Sequence, residues 1–289
     1  MAEILKGAPV AAAITEDLIR RAEALKEKGV TPCLAIVRLG ERPEDLSYER
    51  GAMKRCEKVG IRVEQILLPA ACLQEELEGA IRRINAEDGI HGCLLFRPLP
   101  KQLDERAVCE ALAPAKDVDC MSSASLNAVF TGRGAGFAPC TAQSVLELLD
   151  FYGYAPAGKR VAVIGRSLVI GKPLSMLLLN RDATVTVCHS KTPELAGLCR
   201  EAEILVAAAG KAGLVDERYT NPGQVVVDVG IHPAPGGGVC GDVDFARTEP
   251  AVKAVSPVPG GVGSVTTAVL CKHVIEAAEA AAERRQGRT

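Results

Sequence analysis

Residues 161–192 read VAVIGRSLVIGKPLSMLLLNRDATVTVCHSKT. Val161–Ile164 is a short apolar run suited to a buried parallel strand. Gly165 ends it, and Gly171-Lys172-Pro173 opens a helix that runs through Met176 to Leu179. Exposed amides at such a helix start, with the positive end of the helix dipole, favour a phosphate. Thr184–Cys188 is the next strand, followed by His189-Ser190-Lys191-Thr192. The stretch is one βαβ unit. Its turn is G-R-S-L-V-I-G, with Ser167 where a dinucleotide fingerprint has its middle glycine. On pattern alone it suits a dinucleotide site or a tight connection. The end of the second strand says more. NAD-specific folds place a carboxylate there for the ribose hydroxyls. Here stand His189, Ser190 and Lys191, with Arg166 in the first turn, which suits the 2′-phosphate of NADP; for Lys191 alone a solvated basic loop is the alternative.

Bulk properties set the frame. A chain of 289 residues holds two domains or one large one. A formal charge of −2 gives no electrostatic case for nucleic acid. The start, MAEILKGAPVAAAITEDLIRR, carries charges in its apolar stretches and reads as neither signal peptide nor membrane span. Eleven cysteines include no C-x-x-C pair and no zinc spacing, and Cys33, Cys93 and Cys188 sit in apolar contexts. The expectation is a reduced cytoplasmic protein with no metal and no membrane. Tryptophan is absent and aromatics are 3%, so the core must be aliphatic.

Outward from the central unit, helix and strand alternate. Helices are expected at Val10–Lys28, Pro43–Val59, Leu73–Ala86, Leu103–Leu112 and Thr141–Tyr152. Strands are expected at Cys33–Leu39, Ile61–Leu68, His91–Phe96, Ile204–Ala208, Val225–Val229 and, more weakly, Val252–Val255. Ala113–Gly136 reads mostly as loop, and Gly236-Gly237-Gly238 as a hairpin or loop tip. Ser264–Arg285 is a long alanine-rich helix. Its apolar stripe (Val269, Val274, Ala277, Ala280) could pack on the first half of the chain. The alternation argues an α/β architecture.

Several motifs then coincide in order. They are K-D-V-D (Lys116–Asp119), P-C-T (Pro139–Thr141), V-I-G-R-S-x-x-x-G-x-P, T-V-T-x-C-H-S-x-T, V-V-x-D-V-G-I, G-D-V and P-V-P-G-G-V-G (Pro257–Gly263). Together they closely resemble the bifunctional methylenetetrahydrofolate dehydrogenase/methenyltetrahydrofolate cyclohydrolase family, over nearly the whole chain and most strongly over residues 139–270. The resemblance implies a two-domain α/β fold: an N-terminal catalytic domain, a Rossmann-type NADP-binding domain and a folate cleft between them. It divides the chain into 1–140 plus 266–289 and 141–265. It also implies a homodimer. Gly165, Arg166, Ser167, Gly171, His189 and Ser190 would contact NADP, with Arg166 and Ser190 at the 2′-phosphate. Ile231, after a strand's carboxyl end, lies where cofactor rings bind in such sheets. Pro259, Gly260, Gly261 and Val262 would line the folate side; the plain alternative for this run is a flexible turn before the last helix.

The first half departs from the family where its chemistry lies. The family pattern Y-x-x-x-K puts tyrosine and lysine one turn apart on a helix. Here Tyr48 is present, and the lysine position is Ala52. Lys54 falls about 200° round the helix from Ala52 and reads as a surface lysine. The family's Q-L-P-L-P becomes Phe96-Arg97-Pro98-Leu99-Pro100, so the glutamine is Phe96. D-G-x-x-x-x-N becomes Asp119-Cys120-Met121-Ser122-Ser123-Ala124-Ser125, keeping only the pterin-binding aspartate. P-G-G-V-G-P ends in Ser264.

The two family reactions make different demands. Moving a hydride off the methylene carbon needs positioning. Opening the methenyl ring with water needs proton management, which the family assigns to the lysine and its glutamine partner. Ala52 and Phe96 cannot supply it. The expectation is retained dehydrogenase activity, with Tyr48 and Asp119 as the surviving site groups, and lost or very weak cyclohydrolase. Two alternatives stand beside it: an oxidoreductase whose cleft has shifted to another substrate, and a non-catalytic NADP- or folate-binding paralogue. Asp119 could instead serve a turn, and Tyr48 could simply pack.

Overall fold

The computed structural model describes residues 1–234 and 236–286. In chain order the elements begin β1 (Glu3–Ile4), α1 (Gly7–Glu27), β2 (Cys33–Leu39), α2 (Pro43–Val59), β3 (Arg62–Leu68), α3 (Gln74–Ala86) and β4 (Gly92–Leu95). There follow α4 (Glu105–Ala111), α5 (Ser123–Thr131), α6 (Cys140–Phe151), β5 (Arg160–Ile164), α7 (Gly171–Leu179), β6 (Thr184–Cys188) and α8 (Leu195–Glu201). The chain closes with β7 (Ile204–Ala207), β8 (Val225–Asp228), β9 (His232–Pro233), β10 (Val239–Cys240), α9 (Phe245–Thr248), β11 (Ala254–Val255) and α10 (Thr266–Gln286). No described helix is long and apolar enough to cross a membrane.

The chain folds as two compact units, Met1–Ala12 with Thr141–Thr266, and Ala13–Cys140 with the residues from Thr267 on. The division expected from sequence put residues 1–12 in the other domain. They go with 141–266 because β1 pairs in parallel with β11, Glu3 against Ala254 and Ile4 against Val255. A two-residue strand carries no period that sequence could show. Residues 287–289, the end of the expected first-domain range, lie outside the described residues.

The unit of Ala13–Cys140 is built on a parallel sheet of order β3-β2-β4. All seven residues of β2 are buried, as a continuous apolar run predicts for a central parallel strand. Helix α2 starts with Pro43 at a tolerated first-turn position and ends at Gly60 in the left-handed conformation. The final helix packs back on this unit as its apolar stripe implied. Val269 and Val274 are fully buried and Ala277 nearly so, and Arg21 on α1 meets Glu279 at 2.6 Å.

The segment expected as loop, Ala113–Gly136, contains α5. Asp117, fully buried, accepts from the amides of Met121 (2.8 Å) and Ser122 (2.9 Å) and the hydroxyls of Ser122 (2.7 Å) and Ser125 (2.6 Å). Ser122 is the N-cap and accepts from Ser125 N–H. The helix owes its start to this buried carboxylate rather than to an apolar period.

The other unit carries an all-parallel six-stranded sheet of order β1-β11-β8-β7-β5-β6. From β5 the chain goes to its neighbour β6, then returns to β7 on the far side of β5. The strand order reverses there, and ligands bind outside the carboxyl ends at such a switch point. β9 and β10 pair antiparallel as a hairpin, with Gly236–Gly238 in its tip as expected.

Candidate functional site

Two glycines build the turn at the switch point. Gly165 has φ +133°, and a Cβ there would overlap the carbonyl oxygen of Ala208, just past β7. A Cβ on Gly171 would overlap the carbonyl of Gly165. Only glycine lets strand, turn and helix approach this closely. Ser167 fits in place of the middle glycine because its Oγ accepts from Ile170 N–H at 3.1 Å, bracing the turn.

The helix start gives fewer free amides than the sequence implied. Lys172 N–H donates to Ser167 O at 3.0 Å, Pro173 has none, and Leu174 N–H donates to Ile170 O. Positive side chains are the larger resource for a phosphate. Arg166 is exposed after β5, and Ser190 and Lys191 are exposed after β6. The two ends are joined by Gly165 N–H donating to Cys188 O at 2.9 Å. His189 anchors its own loop. Its amide donates to Thr192 Oγ1 (2.9 Å), and its Nδ1 accepts from Lys191 N–H (3.2 Å). No carboxylate stands at residues 189–192. A glycine cradle at the switch point, with cations and a hydroxyl at the adjoining strand end, fits a dinucleotide with a phosphorylated ribose.

Further along the same carboxyl edge, a cavity of about 250 Å³ is lined by Ile231, Pro259, Gly260 and Gly261 together with Asp228 and Ser264. Ile231 is 64% exposed, so it presents an apolar face to a ligand. Val262 is different: it is 1% exposed and is not among the lining residues. Expected on the substrate side, its side chain instead goes into the core. Gly7 N–H donates to Gly260 O at 2.7 Å and fixes this loop.

Asp228 and Asp242 stand in the V-V-x-D-V-G-I and G-D-V motifs, where nothing local assigns them a part. The structure gives both one. Asp228 accepts from the amides of Gly230, Asp242 and Val243 at 2.9–3.0 Å. Asp242 accepts from Ala209, Gly210 and Lys211 N–H, and its Oδ1 lies 2.7 Å from His232 Nε2. The two carboxylates tie the loop after β7 and the segment after β10 to the end of β8, where residues 228–231 line the cavity. Burial pushes Asp228 up to about 6 against the pull of its three amide donors. Three amide donors on one buried carboxylate were the unseen signal; only the glycines beside each aspartate hinted at them.

In the unit of Ala13–Cys140, α2 places Tyr48 and Ala52 one turn apart. Ala52 is fully buried, and Lys54 is exposed as its helical angle required. Phe96, just past β4, packs edge-on against Tyr48 with ring centroids 6.0 Å apart at 83°. The positions of the family lysine and glutamine therefore hold a methyl and a phenyl ring. Nearby, the Glu49 carboxylate pairs with Arg38 Nε on β2 at 2.7 Å, both side chains under a tenth exposed. Gln65 donates to the same carboxylate, and Arg38 also donates to Gly40 O. This network pins α2 to the sheet. It was not foreseen, because Arg38 lies in an otherwise apolar strand.

Asp119 accepts from Cys140 N–H at 2.9 Å. Burial, opposed by this bond and by Arg97, raises its carboxyl above its ordinary value. Cys120, where the family has glycine, sits at φ +56°. This left-handed conformation is costly for a residue with a Cβ. Lys116, at the head of the same motif, donates to the carbonyls of Ile84, Asn85 and Glu87 at 2.6, 3.1 and 2.7 Å. It closes the C-terminal end of α3.

Comparison with known proteins agrees with this geometry. Residues 5–119 match the catalytic domain of the tetrahydrofolate dehydrogenase/cyclohydrolase family, and residues 139–282 match its NAD(P)-binding domain. The bifunctional protein FolD of Carboxydothermus hydrogenoformans is 53% identical over 281 residues, covering 96% of this chain and 98% of that one. The bifunctional FolD structure from Campylobacter jejuni superposes with TM-score 0.94 at 35% identity, covering 97% of this chain and 99% of that one. The Trypanosoma brucei dehydrogenase-cyclohydrolase, solved with NADP and an inhibitor, gives 0.89 at 36% identity, covering 100% and 99%. With both domains matched in order and nearly full-length relatives at this identity, the chain belongs to the tetrahydrofolate dehydrogenase/cyclohydrolase family.

Proposed function

We propose that the protein is an NADP-dependent methylenetetrahydrofolate dehydrogenase whose cyclohydrolase activity is lost or very weak. The observation that carries this reading is the pairing of a cofactor turn free of disruption with a helix that has buried Ala52 at the lysine position and packs Tyr48 on Phe96.

Oxidation removes a hydride from the methylene carbon of 5,10-methylenetetrahydrofolate and leaves a cation shared by its two flanking nitrogens. Bound NADP supplies the hydride acceptor. No proton moves in that step, so the protein's task is to hold and orient. Arg166, Ser190 and Lys191 would hold the 2′-phosphate, with Gly165, Ser167 and Gly171 shaping the turn and His189 the loop after β6. Ile231 offers the ring an apolar face, and Pro259, Gly260 and Gly261 shape the wall beside it. Tyr48 offers a surface for a pterin or aryl ring, and Asp119 an acceptor for pterin N–H groups. Hydrolysis of the methenyl product requires a group that passes a proton, typically a 10²–10⁴-fold effect. Ala52 and Phe96 have no titratable atom, and Lys54 faces away. Assembly as a homodimer in the cytoplasm belongs to the same proposal; light scattering of the purified protein reads the dimer.

Two separate assays on purified protein test the reading: NADP reduction with methylenetetrahydrofolate, and methenyl hydrolysis above the buffer rate. The first is expected to be positive and the second at background. The pair Ala52→Lys with Phe96→Gln is expected to gain hydrolysis. Hydrolysis by the unmodified protein at the rate of a relative that carries the lysine overturns the reading, and absence of NADP binding overturns it entirely.

A further inference from the structure

A second polar cavity lies in the unit of Ala13–Cys140, away from Tyr48 and Phe96. It has a volume of about 150 Å³ and is lined by His91, Lys116, Arg284, Arg285, Asp88 and Ile90, with small alanines completing the wall. His91 stands at the amino end of β4 and Phe96 at its carboxyl end. Five residues of extended chain, about 17 Å, separate them. The volume is below the range of drug-sized ligand sites and suits a small group.

Three cations face one carboxylate here. Lys116 is spent on three backbone carbonyls. Arg285 Nη2 lies 3.3 Å from Asp88 O and 3.6 Å from its carboxylate. Arg284 has no ion pair among the described residues. His91 is 5% exposed, and its Nδ1 accepts from Cys33 N–H at 3.2 Å. That bond fixes the tautomer, so in the neutral ring the proton sits on Nε2. Burial, helped by Arg285, Lys116 and Arg62, holds the imidazole down to about 4, which keeps it neutral near pH 7. Nε2–H has no partner among the described residues. The ring is 5% exposed, one nitrogen is satisfied, and the other donor opens onto the basic cavity, where an acceptor can reach it.

We propose that this cavity binds a small oxyanion, a phosphate group in the first instance, which accepts from His91 Nε2–H and pairs with Arg284 and Arg285. The site is independent of the NADP site, whose cations lie in the other unit. Phosphate matches it better than chloride, because several oxygens can meet one N–H donor and two guanidinium groups at once.

Nitrogen-detected NMR of the histidine rings tests this on the full chain with inorganic phosphate as probe. There are four histidines, so His91 is assigned by one His91→Asn spectrum. NADP is kept saturating to occupy the other phosphate site. At constant ionic strength, the His91 Nε2 resonance is expected to shift saturably with phosphate and not with chloride. The double variant Arg284→Ser/Arg285→Ser should weaken that response by about tenfold or more while the resonances of His273, on α10 in the same unit, stay in place, which shows that this unit is folded. A His91 resonance that does not move overturns the proposal. So does one that moves equally with chloride, or one that responds unchanged in the arginine variant.

Discussion

Replacing Arg38 by methionine leaves the Glu49 carboxylate buried without its cation. The two side chains are 8% and 4% exposed and 2.7 Å apart, so solvent screening does little for either. Removing one partner of such a pair costs about 3–5 kcal/mol, because the remaining charge is stranded. Gln65 still donates to Glu49, which favours the lower end, about 3 kcal/mol. Removing both charges, Arg38→Met with Glu49→Leu, should cost far less, within about 1 kcal/mol of the unmodified protein or better. Urea unfolding followed by circular dichroism reads the difference. With a slope of about 2 kcal/mol/M, the single variant moves the midpoint by roughly 1.5 M and the double by less than about 0.5 M. The helix they pin carries Tyr48, so the single variant should also raise KM for the folate and leave NADP affinity unchanged. A loss below about 1 kcal/mol in the single variant would refute the argument. So would a double variant whose loss equals the sum of the two single ones, since that means the charges do not act as a pair.

Other outcomes follow from separate parts of the molecule. Gly165→Ala adds a Cβ against the Ala208 carbonyl at φ +133°; it should cost at least about 2 kcal/mol and abolish measurable NADP binding by calorimetry. Arg166→Ser should weaken NADP by about 10–100-fold, the worth of a charged hydrogen bond, and leave NAD affinity nearly unchanged; equal losses for both would remove Arg166 from the 2′-phosphate. Lys116→Met leaves the carbonyls of Ile84 and Asn85 without their donor, while Glu87 O keeps Ile90 N–H, and should destabilise by roughly 2 kcal/mol in urea. Asp228 should titrate near 6 by carboxyl NMR. Its folded value is raised, so its contribution to stability is fully present below about 4 and is lost as pH rises through about 6; a midpoint below 4 would contradict the burial argument.

The parts of the fold that were legible share one property: their signal is local. Cys33–Leu39 and Pro43–Val59 fall where apolar continuity and a proline start place them. The Gly165–Gly171 turn was also readable, because the need for glycine is written at the position that needs it. The missed parts depend on distant partners. Helix α5 begins where Asp117 gathers two amides and two hydroxyls, and nothing in Ala113–Gly136 shows that this aspartate is buried. Asp228 and Asp242 stood in motifs, yet their work lies in loops up to 33 residues away. Arg38 stands in an otherwise apolar strand, and nothing in that strand points to Glu49, 11 residues on, as its partner. Val262 shared a motif with Gly261, and a motif does not tell which of its side chains turn inward.

The pairing of β1 with β11 bears on how the chain is made. Glu3 and Ile4 are synthesised some 250 residues before their partners Ala254 and Val255. The other unit waits as well, since its last helix begins only at Thr266. Neither unit is a continuous run of sequence, so neither can complete itself during synthesis while the rest of the chain is still missing. Contacts that join such distant residues are slow to form. Until those later segments are made, β1 and the edge of β8 that β11 covers stay unpaired, and the apolar bed for α10 stays open to other chains, so yield in the cell should depend on protection during that interval. A cut at residue 140 would strand both ends: one fragment would keep β1 without its sheet, and the other would keep α10 without its core.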